Sequence, residues 1–185
     1  DPLSTEGADE IPYAIEDFNL DYTEVDSGVP VGFWHSVGSS FNAFFIESAI
    51  DEAAHLAGQD PFLYRMKLLA GKKRFQDVLS RVAKKSEWGR VLPKGHGLGI
   101  CIHKTRGSIA GAVIEVSIDD IGMLKLHKAW IAIDCGKVIN PNTIRAQMEG
   151  GFTFGLSATL GEKITLKDGR VEQSNFHDYQ ILRLK

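Results

Sequence analysis

The sequence predicts an α+β protein, a helical segment followed by a strand-rich part. Apolar residues recur at helical spacing from roughly residue 36 to residue 90. Beyond residue 94 the period shortens from about 3.6 to about 2. The strands of the second half fall into hairpins with a single helix among them, whereas a doubly wound sheet alternates strand and helix throughout. The pattern divides the chain into residues 1–92, with one or two strands and three helices, and residues 93–185, a strand-rich part with one long helix.

Taken in order, Phe18 to Val25 alternate apolar and polar side chains, which predicts a strand ending near Asp26-Ser27-Gly28. Val29-Pro30-Val31-Gly32 is a loop, because Pro restricts the residue before it and Gly permits a turn. The clearest helix covers 40–57, where Phe41, Phe44, Phe45, Ile46, Ala49, Ile50, Ala53, Ala54 and Ala57 make a broad stripe. Ser39 or Ser40 is its expected cap and Gly58 its exit. Asp60-Pro61 starts a second helix, running to Gly71, with Asp as N-cap and Pro at the first helical position. A third spans about 73–86, with Phe75, Val78, Leu79 and Val82 on one face. Strands are expected over 96–104, 109–119 and 123–134, with a turn at Asp119-Asp120-Ile121-Gly122. Asn140-Pro141-Asn142 opens a helix of 143–160, and a hairpin of 162–167 and 170–174 turns at Lys167-Asp168-Gly169. Gly150 and Gly151 stand adjacent inside that last helix, where each costs roughly 1 kcal/mol relative to Ala. Such a pair points to a close approach by a neighbouring strand or a bound cofactor.

A chain of 185 residues builds one core or two small subdomains sharing one. Its net charge of -3 supplies no basic field for nucleic acid or an anionic membrane. No apolar run approaches the roughly 18 residues of a membrane span, and no signal peptide is visible. The first residue is Asp1 rather than Met, and the strand-like QILRLK ends without an evident stop, so a piece of a longer protein is expected. Cys101 and Cys135 are too few for an iron–sulfur cluster, and both sit in apolar strand contexts that suit buried structural thiols.

Most candidate chemistry has a plain structural explanation. His96 and His103 lie seven apart on one strand, hence on opposite faces, and His127 and His177 have no ligand-like neighbours at short spacing. Gly95-His96-Gly97-Leu98-Gly99 lacks the strand before and helix after that a dinucleotide loop requires. Ser36, Ser39 and Ser40 lie in no nucleophile elbow. Glu47 and Asp51 share a helix face with Glu52 nearby, and Arg65 is the expected partner of such like charges. Gln147 stands out, because a neutral amide both donates and accepts, which suits a ligand of mixed carbonyl and amino groups.

Three segments carry a resemblance: VPVGFWHSVGSSFNAFFIESAIDEAAHLAGQDPFLYRMKLL (29–69), DCGKVINPNTIRAQMEGGFTFGLSA (134–158) and EQSNFHDYQILRL (172–184). In this order they resemble the large, molybdopterin-binding subunits of the xanthine oxidase and aldehyde oxidoreductase family, above all the branch of isoquinoline 1-oxidoreductase beta subunits. The resemblance covers nearly all the chain from about Pro12. It implies a sandwich-like α/β arrangement of the strand-rich part, as in the molybdenum-binding domains of aldehyde oxidoreductases. It implies a molybdenum–molybdopterin cofactor, in its cytosine dinucleotide form, that hydroxylates a nitrogen heterocycle or an aldehyde with oxygen from water. A small subunit with two 2Fe–2S clusters is the implied electron-transfer partner.

Residue by residue, Gln147 matches the Gln of the family's Q-x-E-G motif, whose amide contacts the molybdenum–pterin site, and Gly150 and Gly151 match the small residues after it. Trp34, His35, Ser36, Val37 and Gly38 match the loop that approaches the metal from another side, so Trp34, His35 and Gly38 are implied cofactor contacts. That loop usually carries Arg where this chain has His35, a loss of permanent charge and of a bidentate donor. Val37 falls where relatives with aromatic substrates place a Phe, which makes it an implied substrate contact with room for a bulkier ligand. The family's base, a Glu in a G-E-P-type motif, has no counterpart here, so no residue is assigned as catalytic and none as a metal ligand. As isolated the chain is expected to be inactive, to bind no cofactor and to self-associate through exposed apolar surface. The alternatives are a scaffold module that keeps the fold without the chemistry, and an aldehyde or purine oxidase of the same superfamily.

Overall fold

Two residue pairs, Asp60-Pro61 and Asn140-Pro141, begin helices where the sequence places them. The computed structural model describes residues 2–26 and 28–183. The Asp60 carboxylate accepts from Leu63 N–H at 3.0 Å, and α2 runs Pro61–Leu68. The Asn140 side chain accepts from Asn142 and Thr143 N–H groups, and α4 runs Pro141–Leu160. Both caps satisfy donors that the first helical turn leaves without partners.

α1, Gly38–Leu56, starts differently from the expectation. Neither Ser39 nor Ser40 caps it; Val37 occupies the cap position with no side-chain bond, and the Ser40 hydroxyl donates to Val37 O at 2.6 Å. The start is set by backbone, with Ser36 at φ 67° and Val37 at φ 51°. Gly38 follows because a Cβ there would run into the Leu3 carbonyl oxygen. The expected strand over 18–25 is also corrected. No strand forms over these residues, and Phe18, Leu20, Tyr22 and Val25 are exposed. Alternation prepares a strand, yet a ladder needs a neighbouring strand to bond with. Its expected end includes Ser27, outside the described residues.

α3, Lys73–Ser86, packs on one face of a three-stranded antiparallel sheet in the order β1 (His96–Thr105), β2 (Ser108–Ile118), β3 (Leu124–Asp134). The register pairs Ile100 with Val113 and Ile102 with Gly111, which puts these side chains under Val78, Leu79 and Val82. Gly111 is where helix and sheet come closest: a Cβ there would stand 3.1 Å from Val78 Cγ1. The Asp119 carboxylate closes the β2–β3 turn by accepting from Ile121 and Met123 N–H groups.

A buried polar knot ties α1, α2 and β1 together. Arg65 is fully buried and donates to Glu47 at 3.1 Å and to Asp51 at 2.6 Å, the pairing the sequence suggests. Glu47 also accepts from Tyr13 O–H at 2.6 Å and from Ile102 N–H at 3.0 Å. Burial pushes the Glu47 carboxyl up against the opposing pull of Arg65 and of these donors.

The chain forms two compact units, Asp1–Gly136 and Lys137–Lys185. The helical half and the three-stranded sheet therefore share a unit, whereas the sequence pattern changes at residue 92. In the second unit, Leu182 N–H donates to Ser157 Oγ at 2.8 Å and Tyr179 O–H to Glu162 at 2.8 Å, which fastens the C-terminal segment to α4. The expected hairpin is shorter than its pattern, with β4 Leu166–Lys167 and β5 Arg170–Val171.

Candidate functional site

α4 presents two different sides. Ile144, Met148, Phe152 and Leu156, spaced by four, are half-buried, while Gln147, Gly150 and Gly151 are exposed. Positions 147, 150 and 151 are neighbours at i, i+3 and i+4. Among the described residues the Gln147 amide has no hydrogen-bond partner. A Cβ built on Gly150 or Gly151 would meet nothing within 4 Å. Among the described residues of its own unit, none crowds the glycines.

The Trp34–Gly38 turn lies in the first unit. Val37 N–H donates to Trp34 O at 3.0 Å, so that amide is engaged within the turn. Trp34, Val37 and Gly38 line one cavity of about 400 Å³, and His35 is exposed. The structure thus groups the implied contacts into two sets, Trp34, Val37 and Gly38 in one unit and Gln147, Gly150 and Gly151 in the other. Gly38 is also required by the fold, through its packing on the Leu3 carbonyl.

Several other titratable groups are paired or buried. His96 Nδ1 meets Glu115 at 2.9 Å, Arg90 meets the same carboxylate at 2.6 Å, and the His96 ring stacks on His127 at 4.3 Å. Glu115 is held below the usual carboxylate range by the His96 bond. His103 faces the other way and lines a second cavity with Cys101 and Phe44. Burial lowers the His103 pKa and pushes the Cys101 thiol up to about 11, as befits an inert thiol. Among the described residues, no group of three His, Cys, Asp or Glu side chains is arranged to hold a metal ion.

Sequence reading missed Arg74. Its guanidinium spans β3 and the β1–β2 turn, donating to Asp134 at 2.8 and 3.0 Å and to Gly107 O at 3.2 Å. Asp134, which also accepts from Gly136 N–H, is held down at about 2 by the Arg74 bond. The two residues are 60 apart in sequence, so no local spacing signals the pair.

The family model of the molybdopterin cofactor-binding domain matches residues 82–185. The chain belongs to this family, among the molybdopterin-binding subunits of the xanthine oxidase type. It is 32% identical over 160 residues to the beta subunit of isoquinoline 1-oxidoreductase from Brevundimonas diminuta, covering 84% of this chain and 20% of that protein. It is 29% identical to a membrane-bound aldehyde dehydrogenase (pyrroloquinoline-quinone) of Gluconacetobacter polyoxogenes, over 83% of this chain and 22% of that one. A nicotinate dehydrogenase subunit of Pseudomonas putida is 27% identical over 92% of this chain and 16% of its own length. The chain spans about a fifth of the length of the relatives it matches. The family match includes β1–β3 and α4 with its glycines, and begins after the Trp34–Gly38 turn. Helices with a three-stranded antiparallel sheet agree with the α+β expectation.

Proposed function

We propose that this chain supplies one wall of the molybdenum–molybdopterin site of a hydroxylase acting on a nitrogen heterocycle or an aldehyde. The observation that carries the reading is the exposed Gln147–Gly150–Gly151 face of α4. Molybdopterin is flat, polar and rich in donors and acceptors. An amide without a partner among the described residues, beside backbone that no side chain shields, fits such a group. When bound, the cofactor supplies the oxidation chemistry, with water as the oxygen source. Gln147 then orients it, donating through its NH2 and accepting through its carbonyl, and both bonds strengthen once water is excluded. Gly150 and Gly151 set the distance of approach. His35 replaces a permanently charged Arg with an exposed imidazole, so this chain brings less positive charge to the Trp34–Gly38 side. The general base lies outside these residues, as do the small subunit with two 2Fe–2S clusters and the contacts to a cytosine dinucleotide.

The test uses the assembled enzyme. Gly151→Leu should place a side chain in the open face and lower bound molybdenum several-fold, measured by elemental analysis after purification. Gln147→Ala should lower turnover of isoquinoline, quinoline or aldehydes by about 10-fold or more, as loss of an oriented hydrogen bond does. Unchanged molybdenum and turnover in both variants would sink the assignment, and would favour the scaffold reading.

A further inference from the structure

One arginine holds the place where the chain leaves β3. Arg74, in the first turn of α3, donates from Nε to one carboxylate oxygen of Asp134 at 2.8 Å and from Nη2 to the other at 3.0 Å. The same Nη2 reaches the Gly107 carbonyl at 3.2 Å and the Asp134 carbonyl at 3.4 Å. A guanidinium fork on a carboxylate fixes direction as well as distance. Asp134 Oδ1 also accepts from Gly136 N–H at 2.9 Å, and Gly136 takes φ 74°. The gripped carboxylate therefore sets the turn that ends the strand.

That turn stands at a junction. Gly136 is the last residue of the first unit and Lys137 the first of the second. Among the described residues, Lys137, Val138 and Ile139 make no hydrogen bond. The next anchor is the Asn140 side chain, which caps α4, the helix that carries Gln147. Between sheet and helix the chain is thus restrained at two points only, the Arg74–Asp134 grip and the Asn140 cap. Both members of the grip are part-exposed, so their pairing is a modest contributor to stability.

We propose that Arg74 is a positioning residue for the molybdenum site. Through Asp134 it fixes the direction in which the chain leaves β3, and so limits how far α4 and Gln147 drift from the cofactor. The inference rests on the reading of Gln147 as a cofactor contact. Misplacing a contact by about 1 Å, even from a residue far from the chemistry, can cost turnover heavily.

The test uses the assembled enzyme with Arg74→Gln, Asp134→Asn or Lys73→Gln. Lys73 pairs with Asp77, so Lys73→Gln removes the same charge from the same helical turn without touching the exit from β3. In Arg74→Gln and Asp134→Asn, hydrogen exchange at the amides of 136–139 should quicken about two- to fivefold, the size of an exposed charge contact. Exchange within β1 and β2 should stay as in the wild type. Bound molybdenum, by elemental analysis, should fall by a similar factor and kcat with it, while KM is unchanged. Lys73→Gln should match the wild type in every readout. Wild-type exchange over 136–139, or wild-type molybdenum content and kcat, in both variants would overturn the proposal. Faster exchange spread over the whole sheet would mark a merely structural role and overturn it too. If Gln147→Ala lowers turnover while Arg74→Gln does not, the positioning role fails and the cofactor wall stands. A silent Gln147→Ala beside an Arg74→Gln that loses molybdenum would instead overturn the Gln147 reading, and with it the route proposed for Arg74.

Discussion

Arg65 is a charged side chain with no exposed surface, and its partners explain how that is tolerated. Glu47 is 10% exposed and supplies the buried countercharge, while Asp51, at 45%, is partly solvated and contributes less. Removing one member of a buried pair leaves the other charge stranded. Arg65→Met should therefore lower unfolding free energy by about 3–5 kcal/mol in a urea titration. Glu47→Gln in the same chain should recover part of that loss. The spacing of Glu47, Asp51 and Arg65 was legible from the sequence. Tyr13 O–H and Ile102 N–H, 34 and 55 residues from Glu47, were not, because only the fold brings them there. Arg74 and Asp134 carry a pH signature. Asp134 titrates at about 2 instead of its ordinary 3.8, so the native state holds the deprotonated form more strongly than the unfolded chain does. The stability this contributes is fully present above about pH 4 and disappears as pH falls through 2. Arg74→Gln should return the Asp134 carboxyl, followed by carbon NMR, towards its ordinary value. The stability difference between the two proteins should shrink at the acid end to what the Arg74 bond to the Gly107 carbonyl contributes.

Helices were legible where side chains start them and less so where backbone does. Asp60-Pro61 and Asn140-Pro141 name their helices in the sequence, since cap and first residue are local chemistry. The start of α1 depends on two residues with positive φ and on a glycine pressed against the Leu3 carbonyl, and none of these shows as a capping side chain. The alternation of residues 18–25 is a true pattern without a partner strand. α4 gives the clearest experiment at this scale. Its two glycines weaken the helix, yet none of the described residues of its own unit lies near enough to require them. Gly150→Ala and Gly151→Ala should each raise the chain's stability by about 1 kcal/mol in a urea titration, because Ala restricts the unfolded chain and fits the helix without collision. In the assembled enzyme the same pair should leave molybdenum content equal or lower. Stabilisation in isolation beside a loss in the assembly would separate helix propensity from ligand approach. A fall in stability of the isolated chain would mean that a neighbour from the chain itself crowds the glycines.

The whole chain exposes more surface than its size calls for. Its accessible surface is 13345 Å². A globular protein of this mass exposes about 8,800 Å², and two separate globules the size of its units about 10,400 Å². Large apolar side chains contribute to that surface. Val31, Phe33, Phe44, Leu56, Val91, Ile121 and Ile139 are each more than 65% exposed. Scattered exposed apolar residues are ordinary, but Val31, Phe33, Phe44 and Phe45 belong to one stretch of chain around the start of α1. Such a surface is built to be covered. In a hydroxylase the rest of the protein would cover it, and the chain's span of about a fifth of its relatives leaves ample polypeptide for that. Alone in solution, chains have only one another to cover it. Sedimentation velocity should therefore show concentration-dependent association in the micromolar range. Phe33→Ser with Phe44→Ser should shift it towards monomer without loss of helical signal, because neither ring belongs to the buried core. A wild-type chain that stays monomeric at millimolar concentration would show that these rings are tolerated in water, and would remove the argument from exposed surface to missing partners.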